Sequence, residues 1–142
     1  MAQQSFCGCI PDGLLYDTEF DMWVRPVGAE VLIGATSFGI HRAGKIIAFT
    51  AKPKGAVVAR GRGLGTIECA KTVLAVHAPL SFTLLEGNEA LEERPLQLNS
   101  DSYAAWMARG TATDWAGDAA RLVEAAAYRT HVLRLEPDAE FT

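Results

Sequence analysis

The sequence has no apolar run approaching the roughly 20 residues needed to span a bilayer, and its opening residues, MAQQSFCGC, lack a basic leader followed by an apolar core. Neither a membrane anchor nor a secretory leader is expected, and the expected compartment is the cytoplasm. Basic residues are the minority charge: 13 Lys and Arg against 17 Asp and Glu give a formal net charge of −4. No chain-wide positive field draws phosphate backbones, so nucleic-acid binding is disfavoured. Cysteine is scarce, with three residues at positions 7, 9 and 69. An odd count in a cytoplasmic protein argues against a disulfide framework and leaves any sulfur chemistry to function. The three histidines stand apart in the sequence and form no metal-ligand spacing. No internal repeat, low-complexity stretch or acid–base constellation is present, so the chain is not expected to be an enzyme on its own.

What is present is enough for one ordinary domain: 142 residues, 49% hydrophobic and 21% charged, a length that buries a core without staples. Residues 1–9 read as an N-terminal arm carrying Cys7-Gly8-Cys9, residues 10–112 as a β domain, and residues 113–142 as a helical segment packed on it. A Cys-x-Cys pair binds soft metals or exchanges disulfides, but metal sites need further ligands, and two arm thiols without a role are the equal alternative.

From Leu14 to Pro26 aromatic and β-branched residues alternate loosely with acids, which predicts a half-buried strand with Trp23 as a core anchor. Val31 to Ala35 suits a buried strand, Thr36-Ser37 an N-cap, and Gly44 the stop of a short helix. Lys45 to Thr50 predicts another strand, followed by a turn at Pro53 to Gly55. Gly61, Gly63 and Gly65 predict sharp turns or the close approach of another backbone. A phosphate loop is disfavoured, because no strand-to-helix transition follows them. Thr66 to Cys69 and Thr72 to Val76 flank Ala70-Lys71 almost symmetrically, which predicts a hairpin with the lysine at its tip. A further strand over 78–86, a helical turn at 89–94 stopped by Pro95, and a last strand region at Leu96, Leu98 and 103–107 follow. Trp115, Leu122, Ala126 and Ala127 then recur at helical spacing, and a loose acidic tail is expected over 138–142. His77 reads as a surface or half-buried hairpin residue.

Gly61, Gly65, Glu68 and Lys71, followed by Ala78-Pro79, Asn88-Glu89-Ala90-Leu91 and Pro95, resemble in order and spacing the lipoyl-lysine region of glycine-cleavage H proteins. The resemblance extends from Ile10-Pro11 and Trp23-Val24-Arg25 through Gly34 and Gly44 to Trp106 and Ala127-Tyr128. It implies a mainly β fold, a barrel-sandwich hybrid of two antiparallel sheets with a short helix and C-terminal helices. It also implies lipoate attached covalently to Lys71, with Glu68 as the carboxylate read by lipoylating enzymes, and dihydrolipoyl dehydrogenase among the partners. A biotin carrier is disfavoured, since Ala70 and Thr72 stand where Met-Lys-Met is usual.

Four features depart from an ordinary H protein: Cys7-Gly8-Cys9, Cys69, Phe82 where glycine is common, and the absence of His-Glu before Trp23. They resemble the lipoate-binding proteins that work with a heterodisulfide-reductase-like complex in cytoplasmic sulfur oxidation. That resemblance implies an arm carrying sulfur intermediates, with Cys7, Cys9 and Cys69 as possible redox thiols and a docking surface altered by Phe82. A glycine-cleavage H protein carrying an aminomethyl group is the alternative, and an unmodified interaction module a third.

Overall fold

The computed structural model describes residues 4–70 and 72–142. Lys71 therefore lies outside the described residues, as do the first three positions of the N-terminal arm.

In chain order the elements are β1 (Cys7–Gly8), β2 (Leu15–Asp17), β3 (Met22–Val27), β4 (Glu30–Ala35), α1 (Ser37–Ala43), β5 (Ile46–Ala51), β6 (Val57–Val58), β7 (Gly63–Cys69), β8 (Thr72–His77), β9 (Phe82–Gly87), α2 (Glu89–Glu93), α3 (Gln97–Ser100), β10 (Ala108–Ala112), α4 (Trp115–Ala119), α5 (Ala125–Leu135) and β11 (Glu140–Phe141). They form two antiparallel sheets, as the resemblance implies. The larger has the order β2-β3-β4-β10-β9-β6 and the smaller β5-β7-β8, while β1 and β11 make a separate two-stranded ribbon.

Strand β3 shows how one sequence serves two cores. Met22 and Val24 face the space between the sheets, and Trp23, on the alternate side, faces a second cluster under α5 with Tyr16, Phe38, Tyr128 and Val132. All three β3 residues are buried, because helix covers what would otherwise be the solvent face of this sheet. Tyr16 and Tyr128 stack with ring centroids 4.8 Å apart. Trp23 Nε1 donates to the Ser102 carbonyl at 3.1 Å, satisfying the one polar atom of a ring that burial removes from water.

Helix α1 follows its sequence signals. Thr36 Oγ1 accepts from the Gly39 amide at 3.0 Å, and Gly44, at φ +90°, donates its amide to the Ile40 carbonyl. Gly65 is required by close approach: a Cβ there would lie 2.5 Å from the Thr50 carbonyl oxygen.

Four expectations need correction. The stretch 14–26 is not one strand but the hairpin β2–β3, turned by Asp17, which accepts from the Glu19 and Phe20 amides, and by Asp21 at φ 57°. The last strand of the large sheet is β10, not 96–107. Its sequence ARGTA carries little apolar signal because it pairs on both sides and its inward places are Ala108 and Gly110. Of the residues before it, Gln97–Ser100 form α3, Leu96 is exposed, and Leu98, Ala105 and Met107 are buried without strand pairing. In α5 the inward positions are Ala125, Tyr128 and Val132 rather than Ala126 and Ala127, and Trp115 lies exposed on α4. The acidic tail is not loose either: β11 pairs in parallel with β1, and Ala139 is buried.

Phe82 also differs from expectation. It is fully buried between the sheets and fits because β10 offers Gly110 beside it, where a Cβ would come 2.5 Å from Phe82 Cδ2. The ring fills core and does not reshape a docking surface.

Candidate functional site

Strands β7 and β8 form the hairpin that the sequence pattern predicts, with Cys69 paired to Thr72, Glu68 to Val73 and Ile67 to Leu74. Alternation along β7 sends Gly65, Ile67 and Cys69 inward and Thr66 and Glu68 outward, and a register shift at Gly63–Gly65 buries Leu64 as well. Strand β8 is the free edge of its sheet, and Thr72 to Ala75 are exposed throughout. The hairpin base is tied by reciprocal bonds: the Gly61 amide donates to the Ala78 carbonyl and the Ala78 amide to the Arg62 carbonyl, both at 2.8 Å. His77 confirms its surface reading, stacking on Phe20 at 5.1 Å and meeting the Gly61 carbonyl through Nδ1 at 2.9 Å.

A group that sequence reasoning missed braces this base. Arg60 lies over the Phe20 ring at 5.2 Å, and its Nη2 donates to Asp17 Oδ2 and Glu19 Oε2, each at 3.1 Å. Asp17 is buried, so this guanidinium is the charge partner that makes its burial tolerable. These residues stand 43 positions apart in the sequence, and no local pattern links them.

Beside the hairpin lies a cleft of about 130 Å³, walled by Met22, Ile40, Ile67, Leu74, Ala75 and Met107 among others, with Asp21 and His77 at its polar margins. Asp21 is engaged elsewhere. Its Oδ1 accepts from the Tyr128 hydroxyl at 2.8 Å, Arg42 Nη1 stands 3.7 Å from Oδ2, and His131 Nε2 is 3.9 Å from Oδ1. Burial raises the Asp21 pKa above the ordinary carboxylate value, against the opposing pull of the Tyr128 hydrogen bond and of the neighbouring His131 and Arg42. Burial likewise raises the pKa of Tyr128.

The other predicted site residues separate clearly. Glu68 is exposed on the outward face of β7. Cys7 and Cys9 are exposed and Cys69 is buried, its thiol directed to the Thr72 carbonyl at 3.6 Å. Among the described residues no group of three His, Cys, Asp or Glu side chains is placed to hold a metal, and no helix is long and apolar enough to cross a membrane.

The fold and hairpin define a class, the two-sheet barrel-sandwich with a hairpin at the edge of its smaller sheet. The glycine cleavage H-protein family model matches residues 14–134. The glycine cleavage system H protein of Bacteroides thetaiotaomicron is 34% identical over 123 residues, covering 86% of this chain and 96% of that one. The probable glycine cleavage system H protein 2 of Sulfolobus acidocaldarius is 36% identical over 104 residues, 70% of each chain. The crystal structure of a glycine cleavage system H protein from Mycobacterium marinum superposes with a TM-score of 0.73 at 27% identity, covering 85% of this chain and 97% of that chain. The chain belongs to the glycine cleavage H-protein family. Members of this family carry lipoate covalently on a lysine and act as carriers in a multi-enzyme system, not as catalysts.

The described residues fit such a group. An apolar cleft of this size is comparable to the ~150 Å³ cavities that take up a benzene-sized ring, and it adjoins the hairpin on which an alkyl arm would be carried.

Proposed function

We propose that the chain is the lipoylated carrier of a glycine-cleavage type system, with the lipoyl amide on Lys71 and Glu68 as the carboxylate read by the lipoylating enzymes. The supporting observation is the β7–β8 hairpin, whose Cys69–Thr72 pair leaves only positions 70 and 71 between its strands, with Glu68 exposed close by. Amide formation removes the lysine charge, and the attached group supplies a cyclic disulfide that thiolates open or that is reduced to a dithiol. This chain's own part is presentation. A hairpin braced at its base by Arg60 carries the attachment position between its two strands, and tethering raises the arm's effective concentration at partner sites. In this reading the cargo is an aminomethyl group and dihydrolipoyl dehydrogenase reoxidises the arm, in keeping with relatives named glycine cleavage system H protein. Intact-mass measurement of protein from its native host tests the attachment, since absence of a lipoyl increment would sink it. Glycine–bicarbonate exchange with a glycine decarboxylase tests the cargo.

A second reading has an observation of its own. Within the cleft the carboxylate at hand, Asp21, is already engaged by Tyr128 and flanked by Arg42 and His131, so among the described residues lining the cleft a protonated amine on the arm finds no unengaged carboxylate. An uncharged cargo suits such walls better. This favours a sulfur-carrying arm delivering to a heterodisulfide-reductase-like complex. Brisk glycine exchange with standard partners would remove the reason for it.

A further inference from the structure

A second groove, of about 420 Å³, is lined by Cys7, Cys9, Ser37, Asn99, Ser102 and Tyr103 among others and shares Ile40 with the apolar cleft. Cys7 and Cys9 flank Gly8 on the arm. Gly8 between them faces the protein, where a Cβ would lie 2.7 Å from the Phe6 ring and 3.5 Å from Ser37 Oγ, and Cys7 and Cys9 are both exposed. The arm is held in place: the Glu140 amide donates to the Phe6 carbonyl and the Thr142 amide to the Gly8 carbonyl, each at 2.9 Å, while Ser37 Oγ donates to the Cys9 carbonyl at 2.7 Å. Ser37 Oγ also meets the Tyr103 hydroxyl at 3.0 Å. Ser102 is 4% exposed, and its Oγ has no hydrogen-bond partner. A buried hydroxyl left unsatisfied in a groove wall is a place for a ligand's polar group.

The groove sits at the tip end of the hairpin. Cys69 pairs with Ile46, whose amide donates to Asn99 Oδ1 at 2.9 Å. Asn99 in turn donates through Nδ2 to the Gly44 carbonyl at 2.9 Å and lines the groove. Strand β7, which leads into the tip, is thus joined to a wall of the groove through one neighbouring strand and one side chain. A lipoyl-lysyl side chain of about twelve bonds, each advancing ~1.25 Å when extended, reaches roughly 15 Å.

We propose that the Cys7–Cys9 groove is a thiol acceptor site for the protein's own lipoyl arm, holding it as a mixed disulfide; this rests on the lipoylation of Lys71 put forward above. The thiolate of Cys7 or Cys9 attacks one sulfur of the dithiolane. A cysteine–lipoyl S–S bond forms and the ring S–S bond breaks. Its electron pair passes to the second ring sulfur, which takes up the proton the cysteine released. One disulfide replaces another, so no external oxidant or reductant is consumed. Return attack by the freed lipoyl thiol restores the ring and releases the arm. Buried Cys69 takes no part.

The test uses the full chain in two forms. Lipoylated protein, its intact mass confirming the increment, is equilibrated at mildly alkaline pH, quenched by alkylation and digested without reduction. The expected product is a Cys7/Cys9 peptide disulfide-linked to the lipoyl peptide within one chain, accompanied by one alkylated lipoyl thiol and lost in Cys7→Ser/Cys9→Ser. Absence of that product, or its appearance only between two chains, would overturn the proposal. Unlipoylated protein is challenged with free lipoamide as the probe: adducts on Cys7 or Cys9 and none on Cys69 are expected, and reaction at Cys69 alone, or no adduct, would also overturn it. A missing lipoyl increment in host protein would instead count against the carrier reading, which the lipoamide result does not touch.

Discussion

The Tyr128 hydroxyl donates to Asp21 Oδ1 at 2.8 Å and stands 2.8 Å from Thr36 Oγ1, so one atom of α5 joins the β2–β3 turn to the N-cap of α1. Tyr128→Phe removes this junction and leaves a largely buried carboxylate short of a donor. A loss of about 1–3 kcal/mol is expected, read from urea midpoints at unchanged m-value.

Asp21 sets a pH dependence. Its carboxyl pKa is raised in the fold, chiefly by burial, so the folded state binds the proton more tightly than the unfolded chain. The resulting contribution is fully present below the ordinary Asp value and is lost as pH rises through the folded one. Asp21→Asn should therefore flatten the stability–pH profile in the range just above the ordinary Asp value. An unchanged slope in denaturation curves across that range would reject the assignment.

Arg60→Ala leaves buried Asp17 without its cation at the hairpin base. Losing one partner of such a pair costs about 3 kcal/mol, and hydrogen exchange of the β7 and β8 amides should accelerate with it. Arg60→Lys restores charge without the fork of donors that reaches both Asp17 and Glu19, and should recover only part of the loss.

Phe82→Ala should cost about 3–5 kcal/mol, measured by chemical denaturation, with lipoylation of the surviving folded protein unaffected because the ring lies in the core. A selective effect on lipoylation or partner binding at undiminished stability would return Phe82 to the surface role implied by the resemblance.

Lys71→Arg is expected to keep the fold and abolish lipoylation, since a guanidinium does not form the amide. Glu68→Gln, on an exposed strand face, should slow lipoylation with a stability change within about 0.5 kcal/mol. Mass spectrometry after timed incubation with a lipoylating enzyme reads both outcomes.

The hairpin was legible because its information is local: two β-rich flanks frame residues 70–71, with glycines where Thr50 crowds the backbone. Helix α1 was legible for the same reason, through Thr36 and Gly44. Strand β10 was not, since its place is secured by partners on both sides and by room for Phe82, which leaves small residues with no alternation. The cleft and its surroundings were equally opaque. Met22 and Met107 meet only through the sandwich, and the Asp17–Arg60 and Asp21–Tyr128 pairs are long-range contacts between residues that read locally as turn, loop and helix positions. The sequence signal of a carrier is concentrated at its hairpin, while the surfaces that receive an arm are assembled from distant segments.

The pairing of Cys7 with Glu140 and of Gly8 with Phe141 closes a loop of more than 130 residues between its partners. Chain closure over such a span loses more entropy than any hairpin in the molecule, and contacts of this separation slow folding most. During synthesis the ribbon waits until Glu140 and Phe141 have left the ribosome. Until then Cys7 and Cys9 lack the backbone ladder to β11, and Ser37, which donates to the Cys9 carbonyl, holds the segment without it.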